Sequence, residues 1–562
     1  MKVRLVLATA LLAGVALFPV PVGAASRASQ VATRGFQAAS GASQVATRKL
    51  QVATSASRTA TWASQAAPAG ETEAERIVRE TEQAVRASER ATLRSSLAPL
   101  TPAQRQRLAA PAGPLTGRWT SCRLPDGFNP VHASVLPDGS VLLMAGSGND
   151  PAQLAAGQFQ SYVFFPDTCA TFKLPTPGDL FCAGHAMLPN GNILVAGGTR
   201  QYDPFYGLRT SYEYDWVRRQ FVKVASMAGG RWYPGATELG SGDVFVNSGI
   251  NGAGGLNARP EIYHHRTRTW SVVPYVRAMP NYAHMLPTAG GRLFFTGVSF
   301  GGSAVRVGFL SPLTGRFQSV SGLDTNRRDQ GASFFVPLSE GRKVMVAGGG
   351  VATTARIDLY SSPNPVYTAG PRLDTVRKYL SHATLFDGRV LLAGGQDPQG
   401  NPVYTAQLYR PGLNRIEPVA PASAAHQYHS NMWVDPTGRA ILVGGNPARG
   451  SVQSLVERFE PWYVDVADRP VITSAPATMA HKQVITVGAR LAAGTTLKSV
   501  RVFRLMSTTH QFGAAEGDFT LTRSGSGWSL TTSANLTPPG YYYLVAVDSR
   551  DVPSVAKIVK VT

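Results

Sequence analysis

Short apolar runs alternate with polar turns along most of this chain. Seven segments repeat one order: an apolar run, a turn such as Leu-Pro-Asp-Gly, a second apolar run and then small residues that usually include a glycine pair. The copies begin at Val131, Phe181, Trp232, Tyr282, Ser333, Tyr379 and Tyr428. Apolar runs of this length, bounded by Gly, Pro and Asp, are typical of β-strands rather than helices. The pattern therefore predicts an all-β protein with seven similar units.

The period of the repeat indicates how the units are arranged. The copies begin roughly every 50 residues, a spacing that accommodates four short antiparallel strands and is typical of a kelch-type β-propeller. We expect seven blades within residues 117–466. A strand-like phrase at 120–125 precedes the first copy, and the last copy has no such phrase after it. The N-terminal strand should therefore complete the seventh blade, which leaves no strand edge unpaired.

The segments on either side differ in composition. Residues 1–24 have a basic start, an apolar run and a small-residue exit, which is typical of a secretory signal peptide. Residues 25–70 are rich in Ala, Ser, Thr and Gln and predict a flexible leader, and residues 71–116 predict a helix followed by a proline-rich linker. This extension is interpreted either as a tether or partner helix or as a solvated spacer. Alternating runs in residues 467–562 predict an immunoglobulin-like β-sandwich that packs against the propeller.

Composition and charge restrict the partners. The 562 residues are 43% hydrophobic and 16% charged, so the chain can bury a large core. After the signal peptide no apolar run is long enough to span a bilayer, so we expect the protein to be secreted or held in the cell envelope. We also expect it to be a monomer. The net charge of +20 is spread along the chain and favours contact with anionic cell-surface polymers. No basic recognition element is present, so nucleic acid is not an expected partner.

Alignment of the copies places chemically reactive side chains at one repeat position. Cys182, Tyr233, Tyr282, Tyr379 and His429 are in register, with Pro130 in the first copy and Ala332 or Ser333 in the fifth. Because the first strand of each blade lines the central axis, these side chains should converge there. Imidazole nitrogen and phenolate oxygen suit copper(II). A second histidine, His510, follows a predicted strand of the sandwich.

On these residues the chain resembles the copper radical oxidases, the galactose oxidase and glyoxal oxidase family, over residues 117–562. Five short motifs carry the resemblance; none of them alone is specific for this family, but their occurrence in this order is. The motifs are Phe-Cys-Ala-Gly-His at 181–185, Arg-Trp-Tyr-Pro at 231–234, Tyr-His-Ser at 428–430, Thr-Thr-His at 508–510 and Pro-Pro-Gly-Tyr-Tyr at 538–542.

The resemblance implies a redox centre with one copper ion. Cys182 would be joined to Tyr233 by a thioether that carries a stored radical, and Tyr233 would also bind the metal. Tyr428 would be the axial ligand that accepts the substrate proton, and His429 and His510 would supply two imidazole ligands. The implied reaction is the two-electron oxidation of an alcohol or aldehyde, with O2 reduced to H2O2. With Cys182 used in this way, Cys122 and Cys169 remain as candidates for a disulfide.

Substrate and activity leave alternatives open. The place that matches the tryptophan covering the thioether in galactose oxidase is about Asn251 here, which counts against a galactose substrate. The phrases Arg-Trp-Tyr-Pro and Phe-Cys-Ala-Gly-His look more like the glyoxal oxidase branch, which favours small aldehydes, with carbohydrate as another substrate class. Phe205, Tyr206 or Trp216 could supply the covering aromatic ring. Tyr282 and Tyr379 are interpreted as pocket wall, and His185, His264, His265 and His426 as structural or exposed. The alternative function is a non-catalytic kelch propeller that binds glycan or protein.

Overall fold

The computed structural model describes residues 117–301, 306–324, 328–510, 512–514 and 517–562. The signal peptide, leader, helix and linker expected over residues 1–116 lie outside these described residues. Within them the chain is almost entirely β-structure, with one short α-helix, α1 (Pro151–Ala155), and one 3-10 helix (Trp462–Asp465). No helix of the described segments is long and apolar enough to cross a bilayer.

Seven antiparallel sheets of the predicted kind occupy the chain up to residue 461, and we number them in chain order of their first strands. Strand β1 (Gly117–Arg123) belongs to the last of them. Sheet 1 contains β2 (His132–Val135), β3 (Val141–Gly146), β4 (Gln160–Phe165) and β5 (Ala170–Lys173). Sheet 2 contains β6 (Gly184–Met187), β7 (Ile193–Ala196), β10 (Ser211–Asp215) and β11 (Gln220–Lys223), with a small hairpin, β8 (Thr199–Gln201) and β9 (Tyr206–Gly207), in its long connection.

The remaining sheets follow the same order. Sheet 3 contains β12 (Gly235–Glu238), β13 (Val244–Asn247), β14 (Glu261–His264) and β15 (Thr269–Val272). Sheet 4 contains β16 (Met285–Pro287), β17 (Leu293–Phe295), β18 (Gly308–Leu310) and β19 (Phe317–Ser319). Sheet 5 contains β20 (Gly331–Phe335), β21 (Lys343–Gly348), β22 (Thr354–Asp358) and β23 (Thr368–Ala369). Sheet 6 contains β24 (Ser381–Thr384), β25 (Val390–Ala393), β26 (Ala406–Arg410) and β27 (Arg415–Val419). Sheet 7 contains β28 (Asn431–Val434), β29 (Ala440–Val443), β30 (Leu455–Pro461) and β1.

The N-terminal strand closes sheet 7, as the phase of the repeat predicts. β1 pairs with β30 along its whole length, from Gly117 opposite Pro461 to Arg123 opposite Leu455. A disulfide between Cys122 of β1 and Cys169, in the turn between β4 and β5, links sheet 7 to sheet 1. The strand pairing thus joins the two ends of the repeat region, and the disulfide fixes the closing strand β1 to sheet 1.

Burial falls from the first strand of each sheet to the last. The first strands, such as β2, β6 and β28, are buried along their whole length, whereas outer strands such as β5, β11 and β15 are largely exposed. First strands of neighbouring sheets also touch: β6 contacts β12, β12 contacts β16, β24 contacts β28 and β28 contacts β2. The closure of all seven sheets into one bladed ring stays a prediction.

The chain after residue 466 forms a second set of sheets. Its strands are β31 (Val471–Ser474), β32 (Thr478–Met479), β33 (Val484–Ile485), β34 (Gly488–Arg490), β35 (Leu497–Arg504), β36 (Ser507–Thr509), β37 (Phe512–Ala514), β38 (Asp518–Thr520), β39 (Thr522–Ser524), β40 (Gly527–Ser529), β41 (Gly540–Asp548) and β42 (Lys557–Val561). A five-stranded sheet of β32, β42, β41, β35 and β38 shares one core with a three-stranded sheet of β33, β40 and β39. The same core includes Leu286 of sheet 4 and Phe335 of sheet 5, so the two parts of the chain pack together.

One hairpin leaves this second part of the chain and enters the first. Strand β36 pairs with β2, with Thr509 opposite His132 and Ser507 opposite Ser134, and continues into β37. The inner edge of sheet 1 is therefore covered by a strand from the far end of the sequence. This pairing carries His510 to the inner ends of the sheets.

Candidate metal centre

The residues predicted to share one repeat position share an unusual backbone conformation. Cys182, Tyr233, Tyr282, Tyr379 and His429 have φ values of 59°, 65°, 43°, 57° and 66°. A residue other than glycine in this left-handed region is destabilised by roughly 1–2 kcal/mol. The conformation recurs at the same place in these units, two or three residues before the first strand, so it belongs to the repeat itself and holds each side chain in an equivalent direction.

The fifth unit differs from the sequence alignment. Gln330, with φ of 62°, occupies the shared position, and the expected Ala332 and Ser333 lie inside β20. The reason is the length of the hairpin. In sheet 2 the turn is closed by Leu188 N donating to Asn192 O, whereas in sheet 5 Val336 N donates to Lys343 O across three additional residues. Counting backward from the turn therefore places the register two or three residues too late.

Backbone hydrogen bonds connect several of these positions directly. The amide of Tyr233 donates to the carbonyl of Cys182 at 2.9 Å, and the amide of Tyr282 donates to the carbonyl of Tyr233 at 3.0 Å. The amide of Tyr379 likewise donates to the carbonyl of Gln330 at 2.7 Å. Residues about 50 positions apart in sequence thus lie side by side at one end of the sheets.

The five residues predicted to form the site lie together. The donor atoms of Cys182, His429 and His510 are all within 4.8 Å of one another. His510 Nε2 lies 3.0 Å from the hydroxyl of Tyr233 and 3.9 Å from Cys182 Sγ, and the hydroxyls of Tyr233 and Tyr428 are in direct contact. Cys182, His429 and His510 are fully buried, Tyr233 is 4% exposed, and Tyr428 is partly buried.

Burial sets the protonation of this cluster. It lowers the pKa of His429 to about 3, against a weaker opposing hydrogen bond from Asn446. Burial, followed by the neighbouring imidazole of His429, also holds the pKa of His510 well below its usual range. Burial raises the pKa of the Cys182 thiol and of the Tyr428 phenol well above their usual values. The imidazoles are therefore neutral and offer lone pairs at neutral pH, while the thiol and phenol keep their protons until a cation lies beside them.

One atom of the cluster has no protein partner. His429 Nδ1 lies 3.1 Å from Asn446 Oδ1, but His429 Nε2 is buried and makes no hydrogen bond within the described part of the chain. A buried polar atom without a partner is rare, and a bound metal ion satisfies it. Two imidazoles, two phenols and a thiol are also nitrogen, oxygen and sulfur donors that transition metals accept. The residues therefore fit a metal ion.

His510 is held from the opposite side. Thr509 Oγ1 lies 2.7 Å from His510 Nδ1 and donates to the carbonyl of Val131 at 3.1 Å. Thr508 Oγ1 donates to Asn431 Oδ1 in sheet 7 at 3.0 Å. The hairpin that delivers His510 is thus fixed to both sheet 1 and sheet 7.

Aromatic rings form one wall of the site. The ring of Trp232 lies 3.9 Å from that of Tyr233, and Phe205 stacks on Trp232 at 4.1 Å. Of the three rings considered from sequence, Phe205 therefore reaches the site through Trp232. Tyr206 lies under Arg200, and the indole nitrogen of Trp216 donates to Asn190 O, where its ring also meets Tyr541. The direct neighbour, Trp232, was missed although it precedes Tyr233 in the chain.

The other aromatic and histidine positions have structural partners. The hydroxyl of Tyr282 donates to Ala183 O at 2.8 Å, and the ring of Tyr379 lies 4.9 Å from that of Tyr428, so both line the site. His185 contacts Ser134, and His426 bonds Gly444 O and Glu457. His264 and His265 both bond Asp243. Sequence reasoning gave no indication of Phe300, which packs against Tyr428, or of Asn446.

This architecture and donor set define a class: all-β proteins in which several sheets and a C-terminal hairpin surround a buried metal-binding centre. A family model described as "Galactose oxidase-like, Early set domain" matches residues 469–561. Galactose oxidase of Gibberella zeae is 25% identical over 525 residues, which cover 83% of this chain and 74% of that protein. "Aldehyde oxidase GLOX" of Vitis pseudoreticulata is 25% identical over 444 residues, which cover 68% of this chain and 82% of that protein.

A solved structure has the same fold. It is that of a fungal alcohol oxidase of the AA5 family in complex with copper, with a TM-score of 0.68 and 19% identity over 80% of this chain and all of that one. Over most of its length the chain is thus similar to copper-dependent oxidases, and residues 469–561 match the galactose oxidase-like early set domain.

Proposed function

We propose that this protein is a secreted copper-dependent oxidase that converts a primary alcohol or an aldehyde to the next oxidation level and reduces O2 to H2O2. The observation that carries the proposal is the convergence of Cys182, Tyr233, Tyr428, His429 and His510 in one buried cluster. The names of the similar proteins, a galactose oxidase and an aldehyde oxidase, support the same chemistry.

The domain organisation follows from the same reasoning. We infer that the seven sheets of residues 117–466 are blades of one closed propeller and that residues 467–562 form an immunoglobulin-like sandwich. Pairing of β1 with β30 and contacts between first strands support ring closure. The sandwich then has a chemical role, because His510 reaches the cluster only through pairing of β36 with β2. Metal binding is thereby coupled to docking of the two domains.

Four side chains would hold one copper ion: Tyr233, Tyr428, His429 and His510. Two imidazoles and two phenol oxygens match the ligand preference of copper(II), which also heads the affinity order among divalent first-row metals. Bound copper supplies a one-electron acceptor next to the two phenols. Oxidation of an alcohol removes two electrons, so a second one-electron group is required.

Cys182 and Tyr233 are the candidates for that second group. Joining Cys182 Sγ to a ring carbon of Tyr233 removes one hydrogen from each residue, and O2 takes up the two hydrogens as H2O2 when copper is present. A phenol that carries a thioether is easier to oxidise than an unmodified one, so Tyr233 can store one oxidising equivalent. The ring of Trp232 at 3.9 Å covers this phenol and limits the access of water to it.

The two phenols would divide the work on the substrate. The hydroxyls of Tyr428 and Tyr233 are in contact, so Tyr428 Oη, deprotonated when copper is bound, would accept the proton of the substrate hydroxyl, and Tyr233 would accept a hydrogen atom from the adjacent carbon. The overall balance is RCH2OH + O2 → RCHO + H2O2. Burial of the Tyr233 phenol would limit the access of water to the oxidising equivalent stored there. The aromatic wall suits small aldehydes and alcohols, with carbohydrate hydroxyls as the other substrate class.

Location and partners are part of the proposal. The apolar segment at 1–24 directs export, and the net charge of +20 favours contact with anionic envelope polymers. An exported oxidase also meets O2 freely, and its disulfide between Cys122 and Cys169 suits an oxidising compartment. We expect it to act as a monomer.

Peptide mass mapping tests the proposal directly. The mature protein is purified without copper, then loaded with Cu(II) in air, and digested before and after loading. We expect peptides containing Cys182 and Tyr233 to appear as one crosslinked species that has lost two hydrogens, only after loading. The matched control is Cys182→Ser, which should give no crosslink and no H2O2 from aldehydes, alcohols or glycans. Folded, copper-loaded protein in which the two residues stay separate would refute the mechanism.

A further inference from the structure

Asn446 lies behind His429, at the point where the chain leaves β29 through its glycine pair. Both residues are fully buried. Asn446 Oδ1 is 3.1 Å from His429 Nδ1, and the backbone amide of Asn446 donates to the carbonyl of Tyr428 at 2.6 Å. Asn446 therefore contacts two adjacent residues of the proposed metal site, Tyr428 and His429, without being one of its ligands.

The direction of the Asn446 amide group is determined by its other neighbours. Its Nδ2 donates to the carbonyls of Ala448 and Ser451 at 2.7 and 2.6 Å, which only an amide nitrogen can do. On the opposite side, Asn149 Nδ2 donates to Asn446 Oδ1 at 2.6 Å. A flipped amide would place its nitrogen against the nitrogen of Asn149 and its oxygen against two carbonyls. The oxygen of Asn446 therefore faces His429.

This orientation determines the tautomer of His429. An amide oxygen only accepts hydrogen bonds, so His429 must donate from Nδ1. The proton then resides on Nδ1, and Nε2 carries the free lone pair. Nε2 is the atom that has no hydrogen-bond partner within the described residues and that faces the other donors.

We propose that Asn446, oriented by Asn149, is a positioning residue that fixes His429 as an Nε2 metal ligand. The inference rests on the proposed copper site. It does not extend to His510, for which the hydroxyl of Thr509 acts in the same way: it donates to Val131 O and accepts from His510 Nδ1. The two imidazoles are thus held by independent networks, so a change at Asn446 should affect one ligand and leave the other in place.

A pair of substitutions of nearly equal size separates positioning from simple packing. Asn446→Leu and Asn446→Asp both lose the donated bonds to Ala448 and Ser451, and the aspartate also places an oxygen against those carbonyls, so it disturbs the loop at least as much as the leucine does. Only the aspartate keeps an acceptor for His429 Nδ1. Partners that orient a ligating histidine typically change metal affinity about 10- to 100-fold when they are lost. We therefore expect Asn446→Leu to weaken Cu(II) binding by about that factor and Asn446→Asp to retain most of the affinity.

The measurement is a competition titration of full-length apoprotein with Cu(II) and a chelator, accompanied by pulsed EPR of the coupled imidazole nitrogens. Asn446→Leu should show one well-defined imidazole where the wild type shows two. The matched control is Asn192→Leu. The amide of Asn192 donates to Glu213 at 3.2 Å and lies away from the cluster, so this variant should bind copper as the wild type does. Equal losses in Asn446→Leu and Asn446→Asp would overturn the inference, because they would indicate a structural role only.

Further variants keep the outcome interpretable. Should Asn446→Leu fail to fold, Asn446→Ala removes the acceptor in its place, and wild-type affinity in that variant would overturn the inference. Asn149→Ala tests the orienting contact alone; wild-type affinity there would refute the part assigned to Asn149 and leave the orientation of Oδ1 to the carbonyls of Ala448 and Ser451. His429→Ala and His510→Ala report on the proposed function. Unchanged copper binding in both would refute the metal site itself, whereas loss of binding in both with wild-type binding in Asn446→Leu would refute only the positioning role.

Discussion

A buried ion pair between Glu238 and Arg504 should control how the C-terminal sheets dock. Glu238 ends β12 of sheet 3, Arg504 ends β35, and both side chains are almost inaccessible. Glu238 Oε1 also accepts from the amide of Met187 at 2.9 Å. Arg504 donates to Pro538 O at 2.9 Å and lies 4.9 Å over the ring of Tyr542. The pair therefore joins sheets 2 and 3 to the strand that leads into the His510 hairpin.

The perturbation is Glu238→Gln, which keeps an acceptor for Met187 and removes the negative charge. Burial is the largest influence on Glu238 and raises its pKa, while the guanidinium of Arg504 opposes it, so each charge depends on the other for compensation. Removing one partner of such a pair typically costs about 3–5 kcal/mol because an uncompensated charge stays buried. Replacing both partners with apolar side chains is often neutral or stabilising, by about 1–4 kcal/mol. Glu238→Gln should thus lower the free energy of unfolding by about 3–5 kcal/mol, and adding Arg504→Met removes the uncompensated charge and should restore part of it.

The assay is denaturant unfolding of the apoprotein for the wild type, both single variants and the double variant. The double-mutant cycle gives the coupling between the two residues, which neighbours in contact show and distant residues do not. Two results would refute the reasoning. One is a loss below about 1 kcal/mol in Glu238→Gln, the range expected of an exposed pair. The other is a double variant as unstable as the sum of the single variants.

Two other perturbations test separate features of the fold. Replacement of both Cys122 and Cys169 by Ser removes a disulfide that closes a loop of 47 residues. For a loop of this length the free energy of unfolding should fall by about 4 kcal/mol, which denaturant unfolding of the wild type and the variant would measure. Burial, with Asp518 nearby, raises the pKa of Glu340 from 4.5 to about 7, so the folded state holds a proton that the unfolded chain has released. Ionisation of Glu340 therefore lowers the free energy of unfolding of the wild type as pH rises from about 4.5 to about 7. Glu340→Gln should become more stable than the wild type over that interval, by up to about 3 kcal/mol above pH 7, as denaturant unfolding at several pH values would show. A difference in stability that does not change with pH would contradict the assignment.

The repeated units could be predicted from sequence because each contains its own signals. Apolar runs, turn residues and small residues are local, and the unmatched phrase at 120–125 was sufficient to predict that β1 pairs with β30. The register failed in the fifth unit because hairpin length is not visible in the pattern, so Gln330 was not identified. A count from the start of the apolar run at Gly331 would have found it. The rings predicted to cover the thioether belong to loops, whereas the ring beside Tyr233 is that of its chain neighbour, Trp232.

Other parts of the site depend on contacts that no local pattern encodes. His510 was identified only through its resemblance to a family motif, because the pairing that delivers it joins residues as distant as Thr509 and Val131, 378 positions apart. Asn446 follows a glycine pair in one of seven similar units, and nothing in its sequence neighbourhood distinguishes it from residues that face solvent. Its role depends on Asn149, from the first unit, which approaches it only after the chain has folded.

The origins of the proposed ligands imply that copper affinity and stability should be linked. His429 and Tyr428 come from sheet 7, which β1 completes, and His510 comes from a hairpin that lies on sheet 1 only when the C-terminal part is docked. The unfolded chain has none of this preorganisation, so we expect copper to bind the folded state selectively and to stabilise it, by about 2.7 kcal/mol at a free concentration 100 times the Kd. The linkage is reciprocal. Glu238→Gln changes a residue outside the site, so it should weaken copper binding only to the extent that it displaces the hairpin that carries His510. Copper should therefore recover more of the stability lost in Glu238→Gln than of that lost in His510→Ala, since the first variant keeps every ligand and the second does not.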